Sequence, residues 1–109
     1  MIECPYTYAF IRKDLPIHAQ IVQASHAALE MGLKIEGERK PKQTSFLIML
    51  EAKDERQLLD IAGFLDEQNI DHHMFFEPDQ PIASNTSICT EPIYGDQRKL
   101  FKKFKLWKQ

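Results

Sequence analysis

Two short runs restrict the fold more than anything else in this chain: Tyr6-Thr7-Tyr8-Ala9-Phe10-Ile11 and Thr44-Ser45-Phe46-Leu47-Ile48-Met49-Leu50-Glu51. Aromatic and β-branched residues favour strands. A strand whose middle lacks apolar–polar alternation is one covered on both faces. A chain of 109 residues holds one core and no second. Both runs are therefore expected in one sheet sandwiched between helices.

The helices are readable between them. From Ile17 to about Leu33, the residues Ile17, Ile21, Ala24, Ala28 and Met31 recur at four- and three-residue steps, with Pro16 suited to a first turn. The alanines allow a close approach to the sheet, and Gly32 is a candidate C-terminal signal. Asp54 followed by Gln57 is a capping-box pattern for a helix from about Glu55 to Gln68. Its buried face is Leu58, Ile61, Ala62 and Leu65, and Asn69 closes it. His72 to Glu77 and Ser84 to Thr90 read as strands separated by the turn Pro78-Asp79-Gln80-Pro81. Gly95-Asp96 opens a last helix through about Lys103, and a short basic tail with Trp107 follows. The order is β-α-β-α-β-β-α. Interposed helices imply right-handed parallel crossovers and a mixed four-stranded sheet with helices on both faces. The expected class is α/β, one domain over residues 1–109.

Composition removes several kinds of function. With 43% hydrophobic and 28% charged residues the chain is of the folded rather than the disordered type. No apolar run approaches the ~18 residues of a membrane span. The start, Met1-Ile2-Glu3-Cys4-Pro5, lacks the basic and apolar stretches of an export signal, so a cytoplasmic location and no membrane partner are expected. Cys4 and Cys89 fit no metal spacing and no disulfide framework. Each sits in a strand-like segment and is expected as a reduced, buried side chain, a cystine being open only if those strands are neighbours. His72 and His73, adjacent in a strand, point to opposite faces and cannot chelate one metal. There is no Gly-x-Ser-x-Gly elbow and no phosphate-cradling glycine loop. No metal is expected, and were the chain an enzyme, water attack helped by a general base is the expected course.

The net charge of −2 does not mark a general nucleic-acid binder, but its distribution is polar. Between Glu51 and Asp96 there are eleven acidic residues against two bases, Lys53 and Arg56. The last twelve residues carry six bases, Arg98, Lys99, Lys102, Lys103, Lys105 and Lys108, and no acid. That tail offers phosphates a landing site, and it equally fits a solvated helix face.

Ligands of open α/β sheets bind beyond the carboxyl ends of the parallel strands. There the first strand delivers Arg12, Lys13 and Asp14, then the helix start with His18, and the third strand delivers Glu77. A helix N-terminus at that rim favours an anion. Gln23 and His26, three residues apart, project from one side of the first helix. Taken alone they fit a polar helix face or satisfied buried groups, as Thr86 fits an ordinary strand.

Tyr8-Ala9-Phe10-Ile11-Arg12-Lys13-Asp14-Leu15, followed by Gln23-Ala24-Ser25-His26-Ala27-Ala28-Leu29, resembles the opening of type-2 peptidyl-tRNA hydrolases. Asn69-Ile70-Asp71-His72, Glu77, Ile82-Ala83 to Thr86, and Leu100-Phe101-Lys102-Lys103-Phe104-Lys105-Leu106 are similar to the small branch called peptidyl-tRNA hydrolase domain-containing. The resemblance implies hydrolysis of the ester joining a peptide to the 3′ end of tRNA, without metal or organic cofactor. It implies a catalytic group of Glu77, Gln23, His26 and Thr86, with Glu77 in the place of an aspartate. Arg12 and Asp14 match the family's Arg-x-Asp-Leu element. Arg12, Lys13, Asp14, His18, Lys99, Lys102 and Lys103 are expected to meet the tRNA. The chain departs from the pattern in lacking the glycine- and lysine-rich loop before the helix. Three readings stand: an esterase acting on peptidyl-tRNA; an RNA-binding module of the same fold that has lost turnover; and a protein- or small-molecule-binding domain, possible as a homodimer, with Phe104, Leu106 and Trp107 exposed as a contact.

Overall fold

The computed structural model describes residues 4–109; Met1 to Glu3, the start of the stretch read for an export signal, lie outside them. The elements in chain order are β1 (Tyr6–Arg12), α1 (Ile17–Lys34), a 3₁₀ turn (Gly37–Arg39), β2 (Phe46–Ala52), α2 (Glu55–Glu67), β3 (His72–Glu77), β4 (Ser84–Thr90) and a closing 3₁₀ helix (Gly95–Phe101). One sheet holds the strands in the order β2-β1-β4-β3. β1 and β2 are parallel, and β4 runs against both β1 and β3. The carboxyl ends of β1, β2 and β3 therefore share one rim. The crossover through α1 steps from β1 outward to β2, and the crossover through α2 steps back across to β3. Two right-handed crossovers of opposite sense put their helices on opposite faces. The α/β class, the mixed sheet and the two-sided covering expected from the sequence are all present.

Alternation along β1 sends Tyr8 and Phe10 to the α2 face and Ala9 and Ile11 to the α1 face. On the α2 face Leu58, Ile61 and Leu65 pack on Tyr8, Phe10, Leu50, Ile88 and Phe101. Phe101 stacks on Tyr8 with ring centroids 3.8 Å apart, and Phe104 meets Phe10 edge-on at 5.0 Å. On the other face a smaller core joins Ala27, Met31 and Ile35 to Cys89. Asp54 caps α2 by accepting from the Gln57 N–H at 2.9 Å. Asn69, at φ 57°, turns the chain out of that helix in the left-handed conformation that asparagine tolerates.

Four expectations are corrected. The buried face of α1 is Ala19, Gln20, Gln23, Ala24, Ala27 and Met31, while Ile17 and Ile21 are exposed, Ile21 by 63%. The helix is thus rotated away from its most apolar stripe. Both glutamine amides find hydrogen-bond partners under the helix, which removes most of the penalty for burying them. Gly32 lies inside α1, which runs to Lys34 and leaves through the extended Ile35 rather than a left-handed residue.

β2 is not covered on both faces. Leu47 is exposed because α1 lies chiefly over β4, β3 and β1. Phe46, on the other face beside Tyr6, is exposed because α2 lies chiefly over β4. The free edge of β2 is closed by the tail instead. Glu51 N–H donates to the Lys105 carbonyl and Trp107 N–H to the Met49 carbonyl, each at 2.9 Å, with Leu106 opposite Leu50. Pairing the tail there hides backbone groups that an edge strand would otherwise present. The reading of a protein- or small-molecule-binding domain would have Phe104, Leu106 and Trp107 exposed. Phe104 and Trp107 are half-buried, and of the three only Leu106 is exposed. Trp107 Nε1 donates to Gln20 Oε1 at 2.7 Å, and Gln20 Nε2 donates to the Leu15 carbonyl at 2.7 Å, tying tail, helix and β1–α1 turn together.

The cysteines are the fourth correction. Cys4 precedes β1 and is half-buried rather than a buried strand residue. β1 and β4 are neighbours, yet Cys89 faces Ala9 and both thiols are free. Burial pushes the Cys89 thiol up to about 12, which leaves it unreactive. Among the described residues no helix is long and apolar enough to cross a membrane.

The Trp107 indole is expected to matter through its hydrogen bond as well as its bulk. Trp107→Phe leaves the buried Gln20 oxygen without a donor and is expected to cost about 1–3 kcal/mol in urea denaturation. A loss below about 0.5 kcal/mol would show that the tail is not fastened in this way.

Candidate active site

Antiparallel pairing sets Glu77, the last residue of β3, opposite Ser84, the first of β4. One strand further in, β4 carries an extra residue: Phe75 pairs with Ser87 and Phe76 with Asn85, leaving Thr86 as a bulge. In a regular strand Thr86 and Ser87 would point to opposite faces. The bulge turns both hydroxyls toward α1, a re-aiming that bulges commonly perform. Ser87 Oγ donates to the backbone carbonyl of Gln23 at 2.6 Å, and Thr86 Oγ1 donates to its side-chain oxygen at 2.7 Å.

Gln23 passes this order outward. Its Nε2 donates to Glu77 Oε1 at 2.8 Å. A carboxylate only accepts, so the amide must turn its nitrogen to Glu77 and its oxygen to Thr86, which then must donate. The whole chain has a single consistent polarity. The other Glu77 oxygen accepts from the backbone N–H of Asp79 at 3.1 Å. The Gln23 amide, then the Asp79 N–H and the nearby His26 hold the Glu77 carboxyl below the usual carboxylic range. Each Glu77 oxygen accepts one hydrogen bond and keeps a second lone pair, and the residue is half-buried.

His26 lies one turn beyond Gln23 and stacks on Phe75, with ring centroids 4.5 Å apart and planes within 4°. It influences Glu77 through its field and shares no hydrogen bond with it among the described contacts. Arg12, from the end of β1, reaches the start of β4. Its Nη1 donates to Ser84 Oγ at 2.7 Å and to the Asn85 carbonyl at 2.9 Å. Its Nε and Nη2 form a two-pronged pair with Asp14 at 3.0 and 2.8 Å. Four of its five N–H groups are thus in use, and the pair lowers the Asp14 carboxyl. Arg12 adjoins the Glu77 corner through Ser84, and its main work is to brace the rim.

The other expected substrate contacts are spread out. Lys13 turns toward the tail, donating to the Lys108 carbonyl and sitting 5.1 Å from the Trp107 ring centre. His18 is exposed on the first turn of α1. Lys99 is paired with Asp96 at 3.4 Å. It sits next to Arg98, which covers the Tyr6 ring at the far end of β1. The closing 3₁₀ helix runs the length of β1, so only the end of the basic stretch reaches the rim. Lys102 is exposed, and Lys103 lies 3.5 Å from the Phe64 ring centre. Sequence reasoning missed Gln20, Ser84 and Ser87. For Gln20 a signal existed: two glutamines at a three-residue step share a helix face, and a buried polar face was the less obvious reading.

A family model described as Peptidyl-tRNA hydrolase PTH2 matches residues 6–107. The mouse and human proteins named "Putative peptidyl-tRNA hydrolase PTRHD1" are each 32% identical over 117 aligned positions, covering 93% of this chain and 81% of each relative. The solved structure of a protein of unknown function from Agrobacterium tumefaciens strain C58 superposes with a TM-score of 0.67, covering 98% of this chain and all of that one. At 12% identity that likeness shows the fold alone.

Removing the amide should release the carboxylate. In Gln23→Leu the largest influence lowering Glu77 is gone, so its pKa is expected to rise toward that of an ordinary glutamate in a ¹³C NMR titration. An unmoved titration would mean that the bond to Gln23 does not govern the charge of Glu77.

Proposed function

As the chain belongs to the peptidyl-tRNA hydrolase PTH2 family, we propose that it hydrolyses the ester between a peptidyl group and the 3′ end of tRNA, with Glu77, Gln23 and Thr86 as its centre. The observation that carries this reading is the one-way hydrogen-bond chain from Thr86 through Gln23 to Glu77. It delivers a fixed, ionised carboxylate to the rim where open α/β sheets bind ligands.

A carboxylate held below its usual pKa is a weak base toward a resting water molecule. Glu77 therefore orients the water first, and takes its proton as the new carbon–oxygen bond forms and that oxygen turns acidic. The ester bond then breaks, and Glu77 passes its proton to the departing 3′ oxygen. The new carboxylic acid releases its own proton to solvent, leaving a free peptide carboxylate and a tRNA 3′ hydroxyl. Gln23 keeps one amide N–H, and Arg12 one N–H on Nη2, for the oxygen that becomes negative on attack. A donor of that kind is worth about 10²–10³ in rate. His26, flat against Phe75, lines the same corner and adds positive field when protonated.

A second reading, an RNA-binding module of this fold without turnover, is favoured by one contact. The Lys13 ammonium is held by the tail rather than beside Glu77, so the centre has no lysine of its own. One assay separates the two. Wild type is expected to turn over an N-blocked aminoacyl-tRNA, and Glu77→Gln to lower kcat by about 10²–10⁴. Equal rates in both, or none in wild type, would remove the hydrolytic mechanism.

A further inference from the structure

The two faces of the sheet are unequally covered. On one, α2 and the closing 3₁₀ helix both pack on the strands, through Leu58, Ile61 and Phe101. On the other, α1 lies chiefly over β4, β3 and β1 and leaves β2 largely open. Four strands at about 4.8 Å, with the tail paired beyond β2, make a face roughly 20 Å wide. A helix with its side chains is about 10 Å across. The α1 face has room for two helices, and among the described residues it carries one.

The open place is a trough. Two adjoining hollows of about 310 and 530 Å³ share Ala28 and Leu47 and follow the β2 side of α1. The helix walls them with the small residues Ala24, Ser25, Ala28 and Gly32 beside Ile21, over about 18 Å from Gln20 to Gly32. Ala9, Ile11, Leu47 and Met49 floor the smaller hollow, and Trp107 closes its end. The polar groups there are already satisfied. Ser25 Oγ donates to the Ile21 carbonyl at 2.8 Å, and the Gln20 amide is held at both ends by Trp107 and Leu15. The smaller hollow therefore suits apolar side chains alone. Among the described residues lining the two hollows, the only charged ones are Lys40 and Lys42, at the end away from Trp107. Both are exposed, and neither makes a side-chain hydrogen bond or ion pair among the described residues. The turn that leads to them is anchored by Arg39, which pairs with Asp71 at 2.9 Å and with Glu91 at 3.4 Å.

We infer that this trough docks an amphipathic helix of a partner protein, with apolar anchors toward the sheet and acidic residues in its last turn. About 12 residues of helix span the trough. Anchors at i, i+3, i+4 and i+7 are the pattern of a helix seated in an apolar groove. Lys40 and Lys42 complement acidic side chains and also the partial negative charge of a helix C-terminus. They therefore set the direction, with the partner's C-terminus at the lysines and its N-terminus at Trp107. A second copy of this chain does not supply that helix. α1 has no acid in its first turn and Lys34 in its last, so laid either way it brings the lysines no counter-charge. Of its described large apolar residues, α2 exposes only Leu59. The trough lies at the β2 side of α1 and Glu77 at its β3 side, so the inference stands apart from the hydrolytic reading.

The probe is a displayed library of helical peptides of about 16 residues, free of tryptophan, varied at the anchor positions and in the last turn. It is selected on the whole protein. The peptides recovered are expected to end in acidic residues and to change the emission of Trp107, the chain's single tryptophan. Ile21→Glu with Leu47→Glu, both at exposed positions, is expected to raise Kd about tenfold or more. Lys40→Glu with Lys42→Glu is expected to raise it about two- to fivefold, an effect that shrinks in high salt. The control is Val22→Glu with Leu29→Glu, exposed on α1 but lining neither hollow, and its Kd is expected to stay unchanged. Circular dichroism verifies that every variant is folded. No recovered binder, binding indifferent to either the apolar or the lysine pair, or equal loss in the control would each overturn the docking site. So would light scattering that finds wild type dimeric and the Ile21→Glu, Leu47→Glu variant monomeric, since a second copy would then fill the trough.

Discussion

A primary amide buried between a helix and a sheet must have both of its ends satisfied, and that requirement at Gln23 organises the functional half of this molecule. The oxygen needs a donor and the nitrogen an acceptor, and burial makes either omission costly. Thr86 supplies the one and Glu77 the other. Satisfying them fixes the rotation of α1 on its axis, with Gln20 and Gln23 inward and Ile17 and Ile21 outward. It also fixes which atoms of Glu77 face the rim. The same bonds that let the helix pack therefore hold the carboxylate ready, so stability and chemistry share one set of contacts.

The sheet contributes through an irregularity. Without the extra residue at Thr86, β4 could offer α1 only one of the two hydroxyls that now grip Gln23. With it, the helix is fastened by its main chain and its side chain at one position. At the other end of the helix's inward face, Gln20 binds the β1–α1 turn and the Trp107 indole. Two glutamines one turn apart thus connect the β3–β4 corner to the tail, spanning the width of the rim.

Much of the architecture was legible in the residues. Apolar runs, the Asp54–Gln57 cap and the turn residues located every strand and both long helices, and β3 and β4 were bounded to the residue. The inward stripe of α1 was misread because apolar periodicity weighs a glutamine as surface, whereas a satisfied amide is an acceptable core residue. The covering of β2 was misread because apolar content in a strand records burial without saying what buries it, and here the tail takes the edge while one face stays partly open. The basic tail looked like a single phosphate-binding block. Its course along β1 could not be seen in a charge count, and it separates Lys99 from Lys103 by the length of the strand. The rim residues were nominated by strand ends and by resemblance. The bulge that aims Thr86 has no local signal in the sequence, because it depends on the pairing of two strands.

The claim that the amide chain makes the site is tested most directly by the pH dependence of single-turnover hydrolysis of an N-blocked aminoacyl-tRNA, in wild type and Gln23→Leu. The folded-state carboxyl of Glu77 is depressed, so the wild-type rate should persist as pH falls through the ordinary glutamate range and decline only below it. In the variant the acid limb should move up in pH and the plateau should fall. Superimposable profiles would contradict the account, since the chain from Thr86 to Glu77 would then hold the fold without preparing the chemistry.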